Sequence, residues 1–295
     1  YLKYFFILNI IWLASNPKSG NTWLRFFIIS LLMGSKQTDL NLNHLRAIMN
    51  YPHSTHFSDL ISNLFNLDEI SKNWITSQKK INSDKKLRFF KTHNMLGKYK
   101  GYPFTDAQNT LGTIYIVRDP RNVITSVKNH YSLSSYDEAQ KFIFKDDQIL
   151  ALSDRQKALY INSKIFPLTQ FVGSWKTHYL SWKNMKKNYI LVRYEDLYEN
   201  SKSEFTKIAD FIGGLLRVKF TEAQIENAIN LSSFEKLENM EKENGFTEST
   251  IDKDGNRNKF FFLGPKNDWR KILDKSISSE IEKKFEKEMK ELKYI

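Results

Sequence analysis

The chain has 295 residues, of which 41% are hydrophobic and 26% charged, and it contains no cysteine. A chain of that length has room for one or two cored domains and buries roughly three-quarters of its unfolded surface. The composition excludes a collagen, a coiled coil and a disordered chain. The missing cysteines exclude disulfides, cysteine zinc sites, iron–sulfur clusters and cysteine nucleophiles.

The net charge is +12, from 45 Lys and Arg against 33 Asp and Glu. Such a field suits a nucleic acid, an anionic membrane surface or a small polyanion such as a nucleotide. Only ten of the 45 basic residues are Arg, the side chain that reads phosphate bidentately. Lys, Asn and Ile are all abundant, as base composition of a genome alone would make them. Charge by itself therefore assigns no anion site, and the position of the cations has to.

The chain's longest apolar start, Tyr4 to Ala14, is well short of the ~20 residues a spanning helix needs. No small-residue cleavage site follows it, so it is not read as a signal peptide. A cytoplasmic protein without an integral membrane segment is expected. The sequence begins at Tyr1, which leaves room for a segment upstream.

Ile10 to Ser15 (IIWLAS) is a short apolar run bounded by Asn16-Pro17 and reads as a buried strand. Thr22 to Met33 reads as a helix that is apolar nearly all round, hence buried on both sides. Leu87 to Thr92 and Thr113 to Val117 are two further short strands. Asp119-Pro120 supplies the N-cap and first turn of a helix through about Tyr131. A helix from Thr169 to Met185 precedes a fourth strand, Tyr189 to Tyr194. Ser203 to Ile212 is amphipathic, and the Lys-Glu rich Ser278 to Leu292 reads as a solvated helix. Short buried strands alternating with helices predict an α/β fold, three-layered, with a central mostly parallel sheet. In such sheets ligands bind beyond the carboxyl ends of the strands.

The strongest signal is Asn16-Pro17-Lys18-Ser19-Gly20-Asn21-Thr22-Trp23, directly after the first strand and opening the first helix. A strand–loop–helix turn presents free N–H groups and a positive dipole end, which together hold an anion. Lys18 adds a point charge, Ser19 and Thr22 add hydroxyls, and Gly20 lets the backbone approach a ligand closely. The turn is P-loop-like, but the leading Gly of the nucleotide P-loop, G-x-x-x-x-G-K-[ST], is absent.

This segment resembles the 5′-phosphosulfate loop of sulfotransferases that use 3′-phosphoadenosine 5′-phosphosulfate (PAPS). Tyr115 to Val123 (YIVRDPRNV) with Ser126 is similar to the family's 3′-phosphate motif, in which an Arg and a Ser eight residues later bind the extra phosphate; here these are Arg118 and Ser126. Phe90-Lys91-Thr92-His93 resembles its K-T-H segment after the second strand. Sulfuryl transfer needs a base for the acceptor hydroxyl, and His is poised for that near neutral pH. The resemblance implies that His93 is this base and that Lys18 and Lys91 neutralise the departing charge. A metal is then not required. A surface ion pair with Asp119 is the competing role for Arg118.

For the adenine, Trp23, Phe234 and Tyr194 resemble the family's aromatic contacts, with core packing as the alternative fate. Phe262-Leu263-Gly264-Pro265-Lys266-Asn267-Asp268-Trp269-Arg270 has the frame of the family's R-K-G-x-x-G-D-W-K loop. Gly264, Asp268 and Trp269 match, whereas Phe262-Leu263 stand where an Arg-Lys pair grips the 3′-phosphate. Either Arg257, Lys259 or Lys266 takes over that grip, or the two apolar residues pack into the core.

The resemblance thus implies one sulfotransferase domain over residues 1–295. Residues 35–86 and 132–167 are expected to cap the site and shape the acceptor pocket, and 245–270 to form a loop over the donor. The implied ligands are PAPS as donor, its product 3′-phosphoadenosine 5′-phosphate (PAP), and an acceptor bearing a hydroxyl or amine; no nucleic acid is expected. His44, His53, His56, His130 and His178 lack metal-ligand spacing, so no metal site is expected. A P-loop kinase and a non-enzymatic nucleic-acid binder are the competing readings. The first lacks its leading Gly, and the second leaves Lys18 and His93 unexplained.

Overall fold

Ile10–Ser15 (β1) is buried at all six positions, as a continuous apolar run in a sheet covered on both faces must be. In the computed structural model it lies inside a four-stranded parallel sheet with Arg88–Thr92 (β2), Thr110–Val117 (β3) and Tyr189–Arg193 (β4). The strand order is β2-β1-β3-β4. Residues 10–34, 40–160, 165–185, 188–252 and 254–295 are described. Tyr4 to Asn9 of the apolar start, and residues 35–39 and 161–164 of the expected cap segments, lie outside them.

The chain clusters into two compact units, each built from three stretches. The first takes residues up to 16, 48–115 and 146–191, and so holds most of the sheet. Its core is aromatic: Trp12 packs on Tyr51 and Phe104 at 5.2 and 5.1 Å between ring centroids. The segment after Met49 follows the free edge of β2, with Tyr51 N–H donating to Lys91 O (2.8 Å) and Lys91 N–H to Met49 O (2.9 Å). A helix, Trp175–Lys183, belongs to this unit.

The second unit takes residues 17–47, 116–145 and 192–295. Helix α1 (Asn21–Met33) buries eleven of its thirteen residues, as its all-round apolar sequence requires. Helix α2 (Pro120–His130) starts where Asp119 accepts from Arg121 N–H, with Pro120 in the first turn. We label Trp175–Lys183 of the first unit α3.

Three expectations are corrected. The helix expected from Thr169 begins only at Trp175, because Gln170–Phe171 pairs with Ile149–Leu150 and Ser174 caps the helix by accepting from Thr177 N–H. Tyr194 does not end β4 but opens the helix Tyr194–Glu199. The C-terminal helix runs Lys275–Glu291 and is not solvated all round: Ile277, Ile281, Phe285 and Met289 form a buried stripe at helical spacing. No helix among the described residues is long and apolar enough to cross a membrane.

Candidate active site

In the second unit, the chain leaves β1 through a loop with two left-handed residues, Lys18 (φ 65°) and Gly20 (φ 100°). Gly20 is required there. A Cβ would collide with the Tyr194 ring and lie 3.2 Å from Cδ1 of Ile116. Gly20 gives α1 no side-chain cap, so the first N–H groups of the helix stay available at its positive end. Ser19 is fully buried, and its Oγ has no hydrogen-bond partner among the described residues; the same is true of Trp23 Nε1. Unmatched buried donors are unfavourable unless a ligand completes them. Ser19, next to Lys18 and at the open N-terminus of α1, belongs to a cradle that could hold an anionic group. Asn21 and Thr22 are buried in the first turn above it. Lys18 Nζ sits 3.7 Å from the ring centroid of Phe260, a partner that sequence reasoning missed.

Arg118 follows β3 directly and is 5% exposed. Its Nη1 donates to Lys18 O and to Ser126 Oγ, both at 3.4 Å, and its Nη2 to Gly264 O at 3.1 Å. The guanidinium also lies 4.1 Å from the centroid of the Tyr194 ring. One buried cation thus gathers the loop after β1, helix α2 and the turn at Gly264. This is not a surface ion pair: the Asp119 carboxylate caps α2 and pairs with Arg121 at 2.6 Å.

The expected aromatic residues join the same cluster. Tyr194 is buried and meets Trp23 edge-on at 5.5 Å; burial raises its phenol, with the Arg118 charge opposing. The half-buried Phe234 ring lies against Gly264, where a Cβ would come within 2.6 Å of its Cδ2. This close approach explains the glycine at 264.

The loop that departs from the expected motif places its residues differently from one another. Phe262 is 43% exposed and so does not pack into the core. Lys259 pairs with Glu238 at 2.6 Å, and Arg257 donates to Phe246 O. Lys266 is exposed. Asn267, at the position of the second glycine, is buried and straps the loop to α2 by donating to Asn122 O and Thr125 Oγ1. Arg121, also on α2, stacks 4.0 Å from the centroid of the Trp269 ring.

In the first unit, the parallel register of β1 and β2 pairs Leu13 with Lys91 and Ala14 with Thr92. The next step sets Ser15 beside His93. His93 Nδ1 lies 2.7 Å from Ser15 O. A carbonyl only accepts, so Nδ1 carries the proton and Nε2 is the basic nitrogen. Gln170 Oε1 accepts the His93 N–H at 2.7 Å, and His178 Nε2 lies 3.2 Å from His93 O. Burial pushes His178 down to about 3, the bond to His93 O opposing, so it stays neutral near pH 7. Lys91 is buried at the strand end. His53, beside Pro167, and His56 are likewise pushed down to about 4, chiefly by burial. Gln170 and His178 had no local signal in the sequence, since their partner is 77 and 85 residues away. Among the described residues no group of His, Asp or Glu converges as a metal site.

Known proteins resemble this chain in sequence and in fold. The sulfotransferase domain model fits residues 9–293. Flavonol 3-sulfotransferase of Flaveria bidentis is 24% identical over 290 residues, covering 95% of this chain and 82% of that protein. Cytosolic sulfotransferase 13 of Arabidopsis thaliana is 26% identical over 282 residues, with coverages of 92% and 74%. Among solved structures, retinol dehydratase in complex with androsterone and the inactive cofactor PAP shares the fold. Its TM-score is 0.60 at 18% identity, covering 95% of this chain and 80% of that one. With the family model spanning nearly all of its length, over an α/β fold whose first strand opens into an anion cradle, the chain belongs to the sulfotransferase domain family.

Proposed function

We propose that this chain moves the sulfuryl group of PAPS to an acceptor hydroxyl by in-line displacement, as one sulfotransferase domain comprising both units. His93 Nε2 takes the hydroxyl proton as the new O–S bond forms and the bond from sulfur to the 5′-phosphate oxygen breaks. Lys18 neutralises the charge that develops on that leaving oxygen, with Ser19, Asn21, Thr22 and the N-terminus of α1 holding the phosphosulfate. Lys91 adds positive potential beside the base. Arg118 and Ser126 hold the 3′-phosphate. Chain connectivity supports a shared reaction: only Asn16 and Pro17 separate Lys18 from Ser15, whose carbonyl fixes the His93 tautomer.

The observation that carries this reading is the buried Arg118, shared by the Lys18 loop, Ser126 and the Gly264 turn. An acceptor of the hydroxyl class is supported by the flavonol in the name of the Flaveria relative, and a cytosolic location by the name of the Arabidopsis one. Incubation with sulfur-labelled PAPS and a panel of hydroxyl and amine acceptors in the presence of EDTA tests it. Label transfer is expected to hydroxyls without divalent metal. Transfer of phosphate from a magnesium-bound nucleotide instead would identify a kinase.

The exposed Phe262 yields a sharper expectation. It sits two residues before the carbonyl that Arg118 holds, where the resemblance places a cation. Phe262→Arg with Leu263→Lys is expected to tighten PAP binding about tenfold or more, from one charge-assisted hydrogen bond. Calorimetric titration should show no gain for an analogue lacking the 3′-phosphate. An equal gain for both ligands would mean general attraction by the added charge.

A further inference from the structure

Three side chains on one face of α3 hold the backbone that follows β2. His178 Nε2 donates to His93 O (3.2 Å), Trp182 Nε1 donates to Asn94 O (2.9 Å), and Ser181 Oγ accepts from Leu96 N–H (2.9 Å). Their spacing of three and four residues puts them on one helical stripe. Behind them, the Tyr115 hydroxyl lies 2.9 Å from His178 Nδ1. Because His93 O can only accept, His178 carries its proton on Nε2, and Tyr115 donates to Nδ1. Both Tyr115 and His178 are fully buried. On the opposite side of the same residue, Gln170 takes the His93 N–H. The peptide groups of His93 are therefore gripped at both ends, and its ring is gripped at Nδ1 by Ser15.

We propose that His178, aligned by Tyr115, is a positioning residue for sulfuryl transfer, holding the His93 carbonyl so that the imidazole meets the acceptor hydroxyl in reactive geometry. This rests on the reading of His93 as the base. The physical warrant is that a base acts over hydrogen-bond distances, and misplacement by about 1 Å costs on the order of 10²-fold in rate. A grip made of buried, mutually satisfied groups removes that freedom, because each partner's own rotamer is locked by the next. Plain core stabilisation is the rival role, and it makes different demands on kinetics.

The test compares Tyr115→Phe, which deletes one oxygen, with His178→Leu, which deletes the donor, and His178→Gln, which returns one. Expected are a kcat about fivefold lower for Tyr115→Phe, about fiftyfold lower for His178→Leu, and substantial recovery for His178→Gln. The acceptor KM and the affinity for PAP should stay within about twofold of the wild-type chain, as expected when only transition-state alignment is lost. In a His93→Asn background, adding Tyr115→Phe or His178→Leu should lower the residual rate no further, because there is no base left to position. An unchanged kcat in both single variants overturns the proposal. So does a loss that persists at full size in the His93→Asn background, or one that tracks weakened PAP binding; either marks a structural role. If His178→Leu does not fold, Tyr115→Phe with its double variant decides by the same criteria. Wild-type turnover by His93→Asn itself would remove the base assignment and this inference with it, whereas normal Tyr115 and His178 variants beside a dead His93→Asn sink this inference alone.

Discussion

Lys18→Ala is expected to lower the rate of sulfuryl transfer by roughly 10²–10³-fold, the usual effect of deleting one group that stabilises developing charge in a preorganised site. The size of the effect follows from where Lys18 sits. Lys18 is half-buried with its ammonium over the Phe260 face, and its backbone is in the left-handed region of the loop after β1. Removing the side chain leaves the N-terminus of α1 and the hydroxyls of Ser19 and Thr22, which can donate to an anion but carry no full charge. Donor affinity should therefore fall much less than turnover. Steady-state kinetics paired with PAP titration separate the two. Activity within threefold of the wild-type chain would refute the assignment, and an equal loss in binding and rate would make Lys18 a binding residue only.

His93→Asn is expected to leave PAP binding near its wild-type value while lowering turnover by about 10²–10⁴-fold, the usual contribution of a positioned general base. Asparagine is the informative replacement. Its amide can still donate toward Ser15 O, as Nδ1–H does, yet it offers no basic nitrogen in place of Nε2. The variant should keep its thermal unfolding midpoint within a few degrees, since the main-chain bonds from His93 N–H to Gln170 and from His178 to His93 O persist. Loss of PAP binding or of the folded state would show instead that His93 is a structural residue.

Much of the donor half could be read from the chain. The run IIWLAS, the PKSGNTW turn after it and the Asp119-Pro120 start of α2 are written in local rules: apolar runs, capping oxygens and proline at the first turn. The structure reproduces β1 to the residue and α1 and α2 to within one. Arg118 and Ser126 were singled out by the resemblance, and with two helical turns between them the structure sets them 3.4 Å apart. The amphipathic stripe of the C-terminal helix was not recognised, because its Lys and Glu content masked four apolar residues at helical spacing. The start of α3 was misplaced, because a two-residue pairing with distant Ile149–Leu150 overrode the helical reading of Gln170–Phe171.

What the sequence by itself determined is the order of chemical groups along the chain: which strand ends carry a cation, a hydroxyl or an imidazole, and that a polar strand–loop–helix turn follows the first strand. Only the tertiary structure decided how those groups are held. It placed Phe260 under Lys18, turned Gly264 O toward Arg118, put Asn267 across α2 and left Phe262 exposed. It also fixed the His93 tautomer through Ser15 O and gripped its peptide between Gln170 and His178. The reason is separation along the chain. Periodicity and capping act within about four residues, whereas these contacts join residues 77 to 242 positions apart. Such contacts form only when burial of the core and satisfaction of its polar groups are solved together.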